Sequence, residues 1–170
     1  RQGVLEQRLF LDALLRLEVA PSALTGCAAP SLTQSQESYR FDPAQVLAMG
    51  QSMGGQYTNM IGAVEPRIRA VVPTGAGGYW GYMFLVTGLF DAPPLLALLL
   101  DSDAELTFLH PFLVLLETAW EMAEPLVYMP RLAKRPLPGH PVRPTYEPVG
   151  KDDFFYPTQV FDAVALAYGH

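Results

Sequence analysis

The chain has 170 residues, half of them hydrophobic and 16% charged, with a net charge of −6 and a pI near 4.9. That length suits one domain with one sizeable core. The 11 Lys and Arg are scattered among 17 Asp and Glu, which excludes the clustered cationic surface that nucleic-acid binding needs, and the single cysteine, Cys27, excludes an internal disulfide and a multi-thiolate zinc site.

The N-terminal residues Arg1-Gln2 and the recurring charges Glu6, Arg8, Asp12 and Arg16 fit neither an initiator methionine nor a signal peptide, so the N-terminus is expected to be processed or cut. Residues 3–19 are predicted as a helix, with Arg8, Asp12 and Arg16 on one polar stripe and leucines elsewhere; so much apolar girth predicts deep burial. Pro21 to Pro43 is rich in Ser, Thr, Gln and Pro and reads as a loop containing Cys27. Gln45-Val46-Leu47-Ala48-Met49 has the apolar continuity of a buried parallel strand, ended by Gly50. Met53 to Glu65 then reads as a helix stopped by Pro66, and Ile68 to Val72 as a second buried strand leading into Gly75-Ala76-Gly77-Gly78.

From Tyr79 to about Tyr128 the chain is crowded with Leu, Phe, Trp and Met in helical stretches broken at Asp91, Pro93-Pro94, Asp101 and His110-Pro111. The uncharged run from Ala70 to Phe90 has the length to span a membrane, but its five glycines and Pro73 make strand and loop the expected reading, and a membrane role is not expected. Seven prolines between Pro125 and Pro148 favour extended connection. A third strand is expected around Thr145 to Val149, against the influence of Pro144 and Pro148. A last helix lies between Pro157 and Gly169.

Gly50-Gln51-Ser52-Met53-Gly54 places a serine at a strand-to-helix turn. Chance alone yields a Gly-x-Ser-x-Gly in roughly 5% of chains this long, given glycine near ~7% of residues; the strand before and the helix after supply the context. Such a turn needs a strained backbone, and side chains at Gly50 and Gly54 are expected to clash. It also sets Ser52 beside the positive end of the helix, where the Met53 backbone N–H faces a developing oxyanion. Gly75-Ala76-Gly77 is followed by Trp80 where a dinucleotide fingerprint needs glycine, and no Walker loop, His-Glu-x-x-His or ligand cluster occurs, so no cofactor and no metal is expected.

The segment from Asp42 to Gly55, Asp42-Pro43-Ala44-Gln45-Val46-Leu47-Ala48-Met49-Gly50-Gln51-Ser52-Met53-Gly54-Gly55, resembles the fifth strand and nucleophile elbow of the α/β-hydrolase family. The resemblance implies an α/β class with a partial hydrolase fold: a parallel sheet carrying the elbow in residues 1–78, a helical cap inserted at 79–141, and a continuation of the core with an acid loop at 142–170. It implies Ser52 as nucleophile, Met53 N–H as oxyanion donor, Gly50 and Gly54 as elbow glycines, and Asp153, favoured over Asp152 by the Gly150-Lys151-Asp152-Asp153 spacing, as the triad acid. The family order puts the histidine after the acid, where only His170 follows; His110 and His140 precede it. The base and the second oxyanion donor are therefore expected beyond these residues, and the 170 residues alone are expected to hydrolyse esters only in trace amounts.

The expected activity is a serine hydrolase of carboxylic esters or related acyl compounds, working through an acyl-enzyme on a small ester or lipid-like substrate. The cap aromatics Tyr79, Trp80, Tyr82, Phe84, Phe90, Phe108 and Phe112 point to an apolar acyl or alcohol group or to the cap's own packing. The alternatives are a non-catalytic hydrolase-fold binding module and an acyltransferase or peptidase on the same scaffold.

Overall fold

The computed structural model describes residues 2–89, 91–100 and 106–170. The chain is a mixed α/β protein built on a small parallel sheet. Strand β1 (Leu47–Gln51) pairs in parallel with β2 (Ala70–Thr74), in the register Leu47↔Ala70 through Gln51↔Thr74. Helix α2 (Met53–Val64) makes the crossover, ended by Glu65 in extended geometry before Pro66. Both strands lie two residues later than predicted, so Pro73 falls inside β2. It lies between Val71 and Gly75, whose amides donate to the third segment and not to β1, so the N–H that Pro73 lacks is missing from the ladder on that side and not from the pairing with Gly50.

Helix α2 is packed on the sheet at close range. A Cβ at Gly62 would lie 2.6 Å from Val71 Cγ1, so only glycine lets the helix sit this near β2. Met60, Ile61 and Ala63 from α2, Ile68 and Val71 from the second strand region, Met129, Leu132, Val164 and Tyr168 form the core, with Val4 from α1 (Gln2–Arg16) at its margin. A third extended segment flanks β2: Val71 N–H donates to Pro144 O, Tyr146 N–H to Val71 O and Gly75 N–H to Pro148 O. Only one bridge, Val71↔Thr145, has full strand geometry, because Pro144 and Pro148 contribute carbonyls and no donors.

Two expectations about burial are corrected. Helix α1 buries only Val4, while Leu5, Leu9 and Phe10 are exposed. The face turned inward is mixed: Val4 is buried, Leu11 and Leu15 are half-buried, and between them Arg8 bonds Glu65 and Asp12 bonds Arg67. Strand β1 is likewise not buried on both faces. Leu47 and Met49 are 67% and 79% exposed, since among the described residues α2 covers one face and only β2 pairs with its edge.

Residues 79–141 are helical and proline-punctuated as expected. They form α3 (Trp80–Val86), α4 (Ala92–Leu99), α5 (Pro111–Trp120) and α6 (Pro125–Tyr128), then a 3-10 turn at Met129–Arg131. Pro93-Pro94 opens α4 instead of interrupting a helix, in the first turn where a missing N–H costs nothing. The break expected at Asp101 and the ring of Phe90 lie outside the described residues. The uncharged run from Ala70 divides into β2, a glycine loop and the seven-residue α3, and no helix among the described residues is long and apolar enough to cross a membrane. Helix α7 (Thr158–Tyr168) closes the described chain, stopped by Gly169 in left-handed geometry.

Candidate functional site

Ser52 occupies the junction of β1 and α2 with φ 54° and ψ −122°. These angles match the first central position of a type II′ turn, a place that normally goes to glycine. A side chain held there costs on the order of 1–3 kcal/mol, which the surrounding structure must offset. The offset is visible: Ser52 N–H donates to Thr74 O at 2.9 Å, pinning the turn to the end of β2, and Gln56 N–H donates to Ser52 O at 3.1 Å. The Ser52 side chain makes no capping bond and is half-buried. Met53 is the first residue of α2, so its amide has no intrahelical acceptor and belongs to the positive end of the helix.

The glycines of the turn divide their roles differently from the sequence expectation. A Cβ at Gly50 would lie 2.3 Å from Gly54 O and 2.9 Å from Thr58 Oγ1, so Gly50 is sterically required. A Cβ at Gly54 would meet nothing within 4 Å, which corrects the expected clash there. The obligatory partner is Gly55, whose Cβ would lie 2.8 Å from Ala76 Cβ and 3.2 Å from Gly50 O. Gly54 faces outward on the first turn of α2, and Gly55 faces the loop that follows β2.

That loop, Gly75 to Gly78, meets the end of the third segment at the same carboxyl end of the sheet. Ala76 N–H donates to Glu147 Oε1 at 3.1 Å. Burial pushes the Glu147 carboxyl above its ordinary range, and Tyr168, whose hydroxyl donates to Asn59 Oδ1 at 2.8 Å, stands beside it. Sequence reasoning passed over Glu147; its signal is a single acid between Tyr146 and Pro148 in an otherwise uncharged strand.

Asp153 lies in the loop beyond that segment, also at the carboxyl end, where open α/β sheets place their ligands. Its Oδ1 accepts from Phe155 N–H at 2.8 Å and Tyr156 N–H at 2.9 Å. The neighbouring Asp152 is exposed, with φ 60°. No direct bond joins Ser52 to Asp153.

None of the three histidines is hydrogen-bonded to Ser52 or Asp153. His140 lies against Arg143, 3.1 Å from its Nη2, and Arg143 in turn bonds Glu65 O and Ile68 O at the amino end of the sheet. That end is separated from Ser52 by the length of α2, about 18 Å at 1.5 Å per residue. Burial, then the Arg143 charge, lowers the His140 pKa. His110 starts α5, its Nδ1 accepting from Phe112 N–H at 3.3 Å, and His170 is exposed after α7.

Within the helical region 79–141 a pair of carboxylates holds backbone amides. Glu124, 1% exposed, accepts from Tyr79 N–H and Trp80 N–H, both at 2.8 Å, and from Leu126 N–H at 2.9 Å. Glu117 accepts from Gly81 N–H at 2.7 Å. Burial first, and then the Glu124 charge, push Glu117 up to about 7. Tyr79, Tyr82 and Phe108 pack on one another at centroid distances of 5.4 to 6.1 Å, beside a cavity of about 180 Å³ that Leu113, Val114 and Glu117 also line. Trp80 and Phe84 pack on Trp120.

Comparison with protein-family models and with curated proteins finds no match.

Proposed function

We propose that the chain carries the nucleophile of a serine hydrolase acting on carboxylic esters or related acyl compounds. The observation that carries this reading is the Ser52 backbone, a non-glycine residue held at φ 54° between a parallel strand and a helix start, with Gly50 and Gly55 clearing the space around it. Backbone strain of this kind clusters at active sites. The resemblance of residues 42–55 to an α/β-hydrolase elbow points the same way.

In this mechanism the Ser52 hydroxyl oxygen attacks the acyl carbon while its proton passes to a histidine base. Met53 N–H, at the positive end of α2, donates to the oxyanion. Collapse of the tetrahedral intermediate expels the alcohol, which takes the proton from the base, and water then releases the acid from the acyl-enzyme. Asp153 orients the imidazole and stabilises its charged form; its Oδ1 is fixed by two backbone amides, whereas Asp152 has no such support. None of His110, His140 and His170 bonds Ser52 or Asp153, and His140 sits with Arg143 at the opposite end of the sheet.

Turnover of a short activated ester, beside the matching amide and thioester, tests the reading in the natural full-length protein. Ser52→Ala is expected to abolish it, and Asp153→Asn to lower kcat by about 10⁴-fold, by analogy with a triad aspartate. Asp152→Asn is expected to stay within a few-fold of wild type. Full turnover in Ser52→Ala contradicts the reading, and a reversed ranking of the two aspartates moves the acid to Asp152.

A further inference from the structure

We propose that Gln56 and Tyr156 are positioning residues that hold the acid loop in register with the nucleophile turn. The inference rests on the serine-hydrolase reading and adds to it two residues which that reading does not use.

Gln56 sits one turn into α2 and is 6% exposed. A buried side-chain amide is costly unless bonded, and an apolar residue would fill this place more cheaply. Its Nε2 donates to the Tyr156 hydroxyl at 2.6 Å, across 100 residues of sequence. At one end of this bond, Gln56 N–H holds Ser52 O. At the other end, Tyr156 N–H holds Asp153 Oδ1 at 2.9 Å. A continuous path therefore runs from Ser52 through Gln56 and Tyr156 to Asp153, each step a hydrogen bond.

The Tyr156 ring is fixed independently of its hydroxyl. Gly77 has φ +58°, and a Cβ there would lie 2.4 Å from Tyr156 Cδ1, so the ring is laid directly on the Gly77 backbone. The same loop is tied to the cap by Gly88 N–H donating to Phe154 O at 2.9 Å. Of these attachments only the Gln56–Tyr156 bond reaches the helix that presents Ser52. Removing the hydroxyl leaves the ring in place and frees the acid loop to shift relative to the turn. A shift of about 1 Å in such a constellation lowers turnover by about 100-fold. An Asp153 carboxylate that moves away from the base also stabilises the imidazolium less, so the base titrates at lower pH.

The test compares Tyr156→Phe, Gln56→Met and Gln56→Glu in the natural full-length protein, with Ser52→Ala alongside. Tyr156→Phe and Gln56→Met are expected to lower kcat about 10- to 100-fold with KM within twofold, and to move the acid limb of kcat/KM to lower pH. Combined, they are expected to cost no more than either alone. Gln56→Glu restores the bridge, with the Tyr156 hydroxyl donating to the new carboxylate, and is expected to recover most of kcat. Unchanged kcat and an unmoved acid limb in Tyr156→Phe, with only a lower melting temperature, would show that the bond merely satisfies buried groups. Full turnover in Ser52→Ala overturns the hydrolase reading and this inference together, and is recognised separately by that control.

Discussion

The two ends of the parallel sheet are built on opposite principles, although α2 connects them directly. At the amino end the polar groups are charged and mutually paired. Glu65, 1% exposed, bonds Arg67 at 2.6 Å and Arg8 at 3.0 Å, and Arg67 also bonds Asp12. Arg143, equally buried, closes the end on the Glu65 and Ile68 carbonyls. At the carboxyl end the backbone is strained at Ser52, the loops are glycine-rich, and the buried acids face backbone amides and each other. The contrast in electrostatics follows: hydrogen bonds from the Arg67 side chain lead in holding Glu65 down to about 2, while burial lifts Glu117 to about 7. The amino end is held by paired charges, and the carboxyl end combines strained backbone with acids that burial shifts upward.

The largest effect that separates the ends is expected from Glu65→Gln, which leaves the Arg67 and Arg8 charges without their buried partner. Because both arginines are part-exposed, the cost is about 3 kcal/mol, the contribution that goes with the lowered Glu65 pKa, read as a lower urea midpoint with an unchanged slope. A loss below about 1 kcal/mol would remove the amino end from its stabilising role. At the carboxyl end Gly50→Ala is expected to cost roughly 2–4 kcal/mol through overpacking and backbone shift. Gly55→Ala follows at about half of that, and Gly54→Ala stays near neutral; equal costs at Gly54 and Gly55 would contradict the division of roles described for these glycines.

The two ends also respond to pH in opposite senses. Glu65 has its folded pKa below the ordinary 4.5, so its contribution of up to about 3 kcal/mol is fully present above about pH 4.5 and is lost as pH falls toward 2. Glu117 has its folded pKa above 4.5, so stability falls as pH rises from about 4.5 to 7 and levels off beyond. Melting curves of Glu117→Gln are expected to lose the decline between pH 4.5 and 7 and to exceed wild type at pH 8. A wild-type decline that survives in this variant would assign it to another group. The smallest effect is the relief of strain: Ser52→Gly is expected to be more stable than Ser52→Ala by about 1 kcal/mol, because only glycine adopts the turn freely.

The carboxyl end was legible in sequence to the extent that it is local. A strand, a glycine-flanked serine and a helix occur within twenty residues, and the positions of β1, α2 and β2 followed within two residues. Which glycine is obligatory was not legible, because the neighbour that decides it, Ala76, comes from beyond β2. The amino end was scarcely legible at all. Its ion pairs join Arg8 to Glu65 and Asp12 to Arg67 across more than fifty residues, and without them the leucines of α1 suggested deep burial where the docking face mixes apolar and charged groups. The Gln56–Tyr156 bond was hidden for the same reason, since no local pattern distinguishes a paired glutamine from an exposed one.

Reaction with a phosphonylating reagent tests most directly the proposal that Ser52, presented by the strained turn and activated by a histidine base, is the nucleophile. The natural full-length protein is incubated with the reagent, digested, and the modified peptide located by mass spectrometry. The account predicts one modified residue, Ser52, in the peptide spanning Gly50 to Gly54, with labelling abolished in Ser52→Ala. Labelling that persists unchanged in Ser52→Ala, or a wild-type protein that is never modified at Ser52, would contradict it.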